Sequence, residues 1–219
     1  MKRFLATATF VALGLGALAA QGMQMQKPND DPDKMVAGGA LPAGWATRQD
    51  SGKTAPDGVS FAPMGTGMHV KSGPAGIYYK STDTKSGSYT VSASFTQMEP
   101  AAHPEGYGLF IGGADLAGAG QKYTYFLIRQ DGKYIVKKRD GAAAPTIANW
   151  TDTPAAKKAD ATGKMTNELA VKVAADKASF LVNGTEVGSW PTASVDATGV
   201  AGFRVNHNLN VHVEGFSVK

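Results

Sequence analysis

The groups with which this chain could move protons or hold a metal are sparse and scattered. Four histidines are present, His69, His103, His207 and His212. His207 and His212 lie five positions apart, an odd spacing, so one extended strand would send their rings to opposite faces, and no metal site is expected. Glu99, Glu105, Glu168, Glu186 and Glu214 are dispersed and mostly flank turns. They read as solvated carboxylates rather than an acid and a base aimed into one cleft. A pair drawn from different strands, such as Glu105 with Asp115, is left open. The chain has no cysteine, which excludes disulfides, thiolate zinc sites, cysteine nucleophiles and a lipid-modified cysteine.

Several short patterns lack the companions their chemistry requires. Lys71-Ser72-Gly73 and Lys85-Ser86-Gly87 match one element of the serine acyl-transferases, but no S-x-x-K or S-D-N accompanies them. They read as turns. Gly118-Ala119-Gly120 has neither the lysine nor the helix of a phosphate loop. Asn29 to Asp33 concentrates negative charge without the glycine and glutamate of an EF-hand loop, and Met23 with Met25 reads as filler. No cofactor is expected.

What remains is recognition by stacking and hydrogen bonding. A sugar offers apolar C–H faces to aromatic rings and hydroxyls to Arg, Asn, Asp and Glu, so a sheet face carrying both types can hold one. If Phe126 and Ile128 point to the core, Tyr125, Leu127 and Arg129 point outward. If Phe203 and Val205 do, Arg204 and Asn206 point outward. Trp150 falls in a loop-like stretch. Tyr125, Arg129, Trp150, Arg204 and Asn206 are the candidate binding set, with ordinary core or edge packing as the competing role for each ring. Trp45 and Trp190 read as core or lid residues.

These side chains need a rigid support, and strand signals supply it. Ser88–Met98 is the cleanest: Tyr89, Val91, Ala93 and Phe95 fall on one face, Thr90, Ser92, Ser94 and Thr96 on the other. Further strands are predicted at Gly44–Gln49, Met68–Lys71, Ile77–Lys80, Gly106–Gly112, Tyr123–Gln130, Tyr134–Arg139, Asn167–Ala174, Ala178–Val182, Val187–Trp190, Val200–Val205 and Val211–Val218. Asp131-Gly132 and Asn183-Gly184 are hairpin dipeptides. Ala155–Asp160 suits one helical turn, and no segment after the N-terminal apolar run has sustained helical periodicity. Strand after strand with short turns predicts an all-β protein: two antiparallel sheets packed face to face as a β-sandwich.

The order of elements from Gly106 to Lys219 resembles the concanavalin A-like lectin/glucanase superfamily, including laminin G-like domains and bacterial exported modules related to keto-disaccharide hydrolases. The matching pieces are Gly106-Tyr107-Gly108-Leu109-Phe110-Ile111-Gly112, Tyr125-Phe126-Leu127-Ile128-Arg129 leading through Asp131-Gly132 to Tyr134, Leu181-Val182-Asn183-Gly184, and Gly199-Val200-Ala201-Gly202-Phe203 closing on Val213-Glu214-Gly215-Phe216. The resemblance implies a jelly-roll sandwich. It does not choose among sugar binding, polysaccharide cleavage and protein binding. Retaining glycosidases of that fold carry E-x-D-x-x-E on one strand, which sets two carboxylates about 5 Å apart; this chain has no such run.

The termini and composition bound the rest. Met1-Lys2-Arg3 followed by the apolar run Phe4 to Leu18 reads as a secretory signal peptide. The run is shorter than the roughly 20 residues that span a bilayer. Ala17-Leu18-Ala19 predicts cleavage after Ala19, giving a signal peptide over 1–19, a flexible linker over 20–40 and a sandwich domain over 41–219. Loss of Lys2 and Arg3 lowers Lys+Arg from 22 to 20 against 18 acids, so the formal charge falls from +4 to +2. Neither Lys137-Lys138-Arg139 nor Lys157-Lys158 makes a nucleic-acid footprint. Export without cysteine favours a bacterial periplasmic or secreted protein, soluble after cleavage. The sequence thus reads as a non-catalytic module with a glycan ligand. A glycoside hydrolase or lyase, and a structural or protein-binding envelope module, are the alternatives.

Overall fold

The structure, a computed structural model, describes Asp31–Lys219. The expected signal peptide, its cleavage site and the first part of the expected linker lie outside the described residues. Two seven-stranded antiparallel sheets form a β-sandwich. The front sheet is ordered β1 (Ala46–Gln49), β4 (Gly76–Lys85), β13 (Gly199–Val205), β6 (Gly106–Ala114), β7 (Lys122–Arg129), β8 (Lys133–Asp140), β9 (Thr146–Asp152). The back sheet is ordered β12 (Thr185–Pro191), β11 (Lys177–Val182), β10 (Met165–Val173), β5 (Tyr89–Gln97), β14 (Asn210–Val218), β3 (Gly67–Ser72), β2 (Val59–Met64). Among the described residues the sole helical element is the 3-10 turn Thr192–Ser194, so the helical turn expected at Ala155–Asp160 does not form. No described helix is long and apolar enough to cross a membrane.

The main core lies between the sheets. Val91, Phe95, Leu169 and Phe180 from the back sheet meet Tyr107, Leu109, Phe126 and Phe203 from the front. Trp45 packs on Phe203 at 5.3 Å between ring centroids and Trp190 on Phe180 at the same distance, each acting as an edge seal. Burying a side chain of this size contributes about 1.5–3 kcal/mol. Asn183 and Gly184 both take positive φ, 48° and 82°, as a two-residue hairpin between β11 and β12 requires.

Two edge strands, β2 and β9, have no counterpart among the predicted ones. β2 carries Pro63 and pairs only with β3, an edge position that tolerates a missing N–H. β9 carries Trp150, which the sequence places in a loop; instead it sits on the outermost strand of the front sheet. The segment expected to run as linker to Ala40 is tied to the sandwich from Asp31 onward. Asn208 accepts from Lys34 N at 2.6 Å and donates to Asp31 and the Pro32 carbonyl, and Gly39 N donates to Val59 O.

Candidate functional site

The two sheets differ on their outward faces. β5 and β10 alternate buried and wetter positions, whereas β6 and β7 are buried almost throughout. A strand buried on both sides signals a second packed layer. Here that layer is a second apolar cluster on the outside of the front sheet: Ile77, Tyr79, Phe110, Leu116, Tyr123, Tyr125, Leu127 and Ile135, with Ala46, Trp150 and Val200 against it. Cross-strand register sets its rows. One runs Arg48–Ile77–Arg204–Gly108–Leu127–Ile135, and its neighbour runs Tyr79–Gly202–Phe110–Tyr125–Lys137. Gly202 lets the Phe110 ring lie over the sheet; a Cβ there would come within 2.5 Å of that ring.

Arg204 anchors this face. Its guanidinium grips Asp50 through two bonds, Nη1 to Oδ1 at 2.8 Å and Nη2 to Oδ2 at 2.6 Å. Nε donates to Asn206 Oδ1 at 3.0 Å, Nη1 reaches the Tyr123 hydroxyl at 3.3 Å, and the group lies 5.2 Å from the Tyr125 ring centroid. Burial pushes the Asp50 carboxyl up, but the hydrogen bond and charge of Arg204, with the charges of Arg139 and Arg48, outweigh it and hold Asp50 below its ordinary value. Burial raises the phenols of Tyr123 and Tyr125, with Arg204 opposing in part.

A polar chain continues from Arg204. Asn206 donates to Glu105 Oε2 at 2.9 Å, Glu105 Oε1 pairs with His207 Nε2 at 2.9 Å, and His207 Nδ1 faces Asp33 at 3.3 Å. Burial lowers the His207 pKa, but Glu105, Asp33 and Asp31 more than compensate and raise it above its ordinary value. Beside this chain a cavity of 580 Å³ opens between Asp33–Val36 and the loop from Gln49 to Lys53.

At the other side of the same face, Arg129 lies 4.4 Å from the Trp150 ring centroid and pairs with Asp131 at 2.8 Å. The five sequence-selected residues therefore form two guanidinium–aromatic stacks on one sheet face, Arg204 on Tyr125 and Arg129 on Trp150, with Asn206 bonded to the first. Tyr125 is buried at 8% exposure, though in the outer cluster rather than between the sheets. Glu105 and Asp115 do not converge: Glu105 precedes β6 and Asp115 follows it, a separation of roughly 30 Å at the rise of a strand. Among the described residues no three His, Asp or Glu side chains form a metal-binding group.

Sequence reasoning missed Arg48, Asp50, Tyr123 and Arg139. The outward alternation that selects Tyr125 and Arg129 on β7 also selects Tyr123. In the sequence Arg139 reads as part of a basic cluster, and Arg48 and Asp50 carry no local signal.

No family model and no curated protein matches the chain. Solved structures are similar in fold. The carbohydrate-binding module CBM66 from Bacillus subtilis superposes with a TM-score of 0.57 at 14% identity, over 80% of this chain and 95% of that one. A Bacillus subtilis protein of unknown function with a galectin-like fold gives 0.57 at 13% identity, over 80% and 88%. Alginate lyase A1-II', of polysaccharide lyase family 7, gives 0.56 at 12% identity, over 81% and 94%. These likenesses show a jelly-roll β-sandwich fold.

Proposed function

We propose that this protein is an exported, non-catalytic sandwich module of the concanavalin A-like superfamily that binds a sugar chain across the outer face of its front sheet, through Tyr125, Arg129, Trp150, Arg204 and Asn206. The observation that carries the reading is the pair of guanidinium–aromatic stacks on one face, set on strands rather than loops. Ring faces and fixed hydrogen-bonding groups side by side are what a sugar needs, and a strand-borne site is held in place by the sheet. The fold likeness to a carbohydrate-binding module supports the same reading.

The acids near this face support binding rather than cleavage. Asp50 is locked in a bidentate pair and held ionised, which makes it a poor proton donor, and Glu105 is engaged by Asn206 and His207. The phenols of Tyr123 and Tyr125 are pushed upward and so are poor bases near neutral pH.

A glycan array combined with reducing-sugar release tests the reading. Binding without product release is expected, with Trp150→Ala weakening it by about 1 kcal/mol or more through lost stacking. Release of sugar, abolished by Asp50→Asn or Glu105→Gln, would move the protein to the enzymes. Sequencing of the exported protein should begin at Ala20; an intact Met1 in the membrane fraction contradicts export.

A further inference from the structure

Charge on the front face is out of balance. Arg204 already claims both oxygens of Asp50, the carboxylate held against the outer cluster. Arg129 is matched by Asp131 outside the cluster. Arg48, Lys137 and Arg139 project from the same side of the sheet, on β1 and β8, as their register with Ile77, Tyr125 and Tyr123 requires. None of the three enters an ion pair among the described residues.

Arg48 is the sharpest case. It is only 8% exposed, its Nε has no hydrogen-bond partner among the described residues, and its guanidinium makes a long 3.4 Å contact to the neighbouring Gln49 carbonyl. Arg139 Nε is likewise buried and unpartnered among the described residues. Buried donors are normally satisfied, and a buried charge without a counterion is costly. Two such guanidinium groups beside the Arg204–Asp50 pair leave three cations around one carboxylate, a deficit that a bound anion would fill. Because the guanidinium fork matches a planar carboxylate bidentately, and the half-buried Trp150 ring on the same sheet face offers an apolar surface, the complementary ligand carries carboxylates on a chain with apolar ring faces.

Resting on the sugar-binding reading above, we infer that the ligand of this face is an acidic polysaccharide built from uronate residues, with Arg48 and Arg139 as the carboxylate-binding groups and the half-buried Trp150 ring as the stacking surface. Neutral chains lack the counter-charge this face is missing and bind it less tightly.

Calorimetric titration of the full mature chain with polygalacturonate, polyglucuronate, their carboxyl-reduced neutral forms and dextran sulfate tests this. The expected result is binding of a uronate chain at least ten-fold tighter than its reduced form and than dextran sulfate, weakening with salt. Arg48→Gln and Arg139→Gln should each lower uronate affinity about ten-fold without lowering the Tm, since neither side chain makes an ion pair among the described residues; Arg139, the more exposed of the two, keeps the test open if Arg48→Gln folds poorly. Equal binding of native and carboxyl-reduced chains would overturn the uronate assignment and leave the sugar-binding reading standing. Equal binding of dextran sulfate would reduce the face to a nonspecific polyanion patch, and binding of none of the chains would overturn both.

Discussion

The outward faces of the two sheets are built on opposite principles. On the back sheet, Thr90, Ser92, Ser94 and Thr96 of β5 lie beside Thr166, Glu168 and Lys172 of β10, a wet surface of small hydroxyls joined by bonds such as Thr96 to Thr166 at 2.8 Å. On the front sheet the equivalent positions carry Tyr79, Phe110, Tyr123, Tyr125 and Leu127, capped by guanidinium groups. A sandwich needs only its inner faces to fold. The second apolar layer on the front is surplus to that requirement, which is why it, and not the back, is the candidate site.

If the front face is a second, charge-bearing core, breaking its anchor must cost far more than any change on the back. Arg204→Ala should destabilise the domain by about 3 kcal/mol in urea unfolding, at the low end for a broken buried pair because Asp50 is 40% exposed and can rehydrate. The same pair predicts an acid limit. The Asp50 pKa is lowered in the folded state, so its contribution is present above the ordinary value of 3.8 and is lost as pH falls through the lowered one. A loss below 1 kcal/mol for Arg204→Ala would make the two faces energetically alike.

Tyr125→Ala should cost about 2–3 kcal/mol as well as weakening any glycan, because an 8% exposed ring is packing as well as presenting itself. The sequence alone suggests a surface ring whose loss leaves stability almost unchanged; the outer cluster corrects that expectation. Unaltered unfolding with lost binding would restore the simpler picture.

A smaller effect tests the acidic segment beside the front face. Because the His207 pKa is raised in the folded state, its stabilising contribution is full below its unfolded value near 6.5 and fades as pH rises through the raised value. The stability difference between the parent and His207→Gln should therefore be largest at mildly acidic pH, at about 0.5–1 kcal/mol for a partly exposed pair, and vanish at alkaline pH. A difference that grows with pH contradicts the assignment. The smallest effect belongs to the back: Thr96→Ala should change stability by less than about 0.5 kcal/mol and leave binding unchanged.

Local pattern was sufficient for much of this protein. Period-2 alternation locates β5, Asn183-Gly184 locates a hairpin, and alternation puts Tyr125, Arg129 and Arg204 on the outside of their strands, because side-chain direction along a strand is a property of the strand itself. β2 and β9 escaped, since edge strands need little apolar alternation and β2 contains a proline. What the tertiary structure decided is which strands are neighbours. β13 lies between β4 and β6, and that placement brings Arg204 to Asp50, 154 residues away in sequence. The same strand order carries Arg48 on β1 and Arg139 on β8 to opposite sides of the outer aromatic cluster. Periodicity records which face a residue takes. The partner across the sheet is set by how two apolar surfaces close over a shared core, and that is a property of the whole chain.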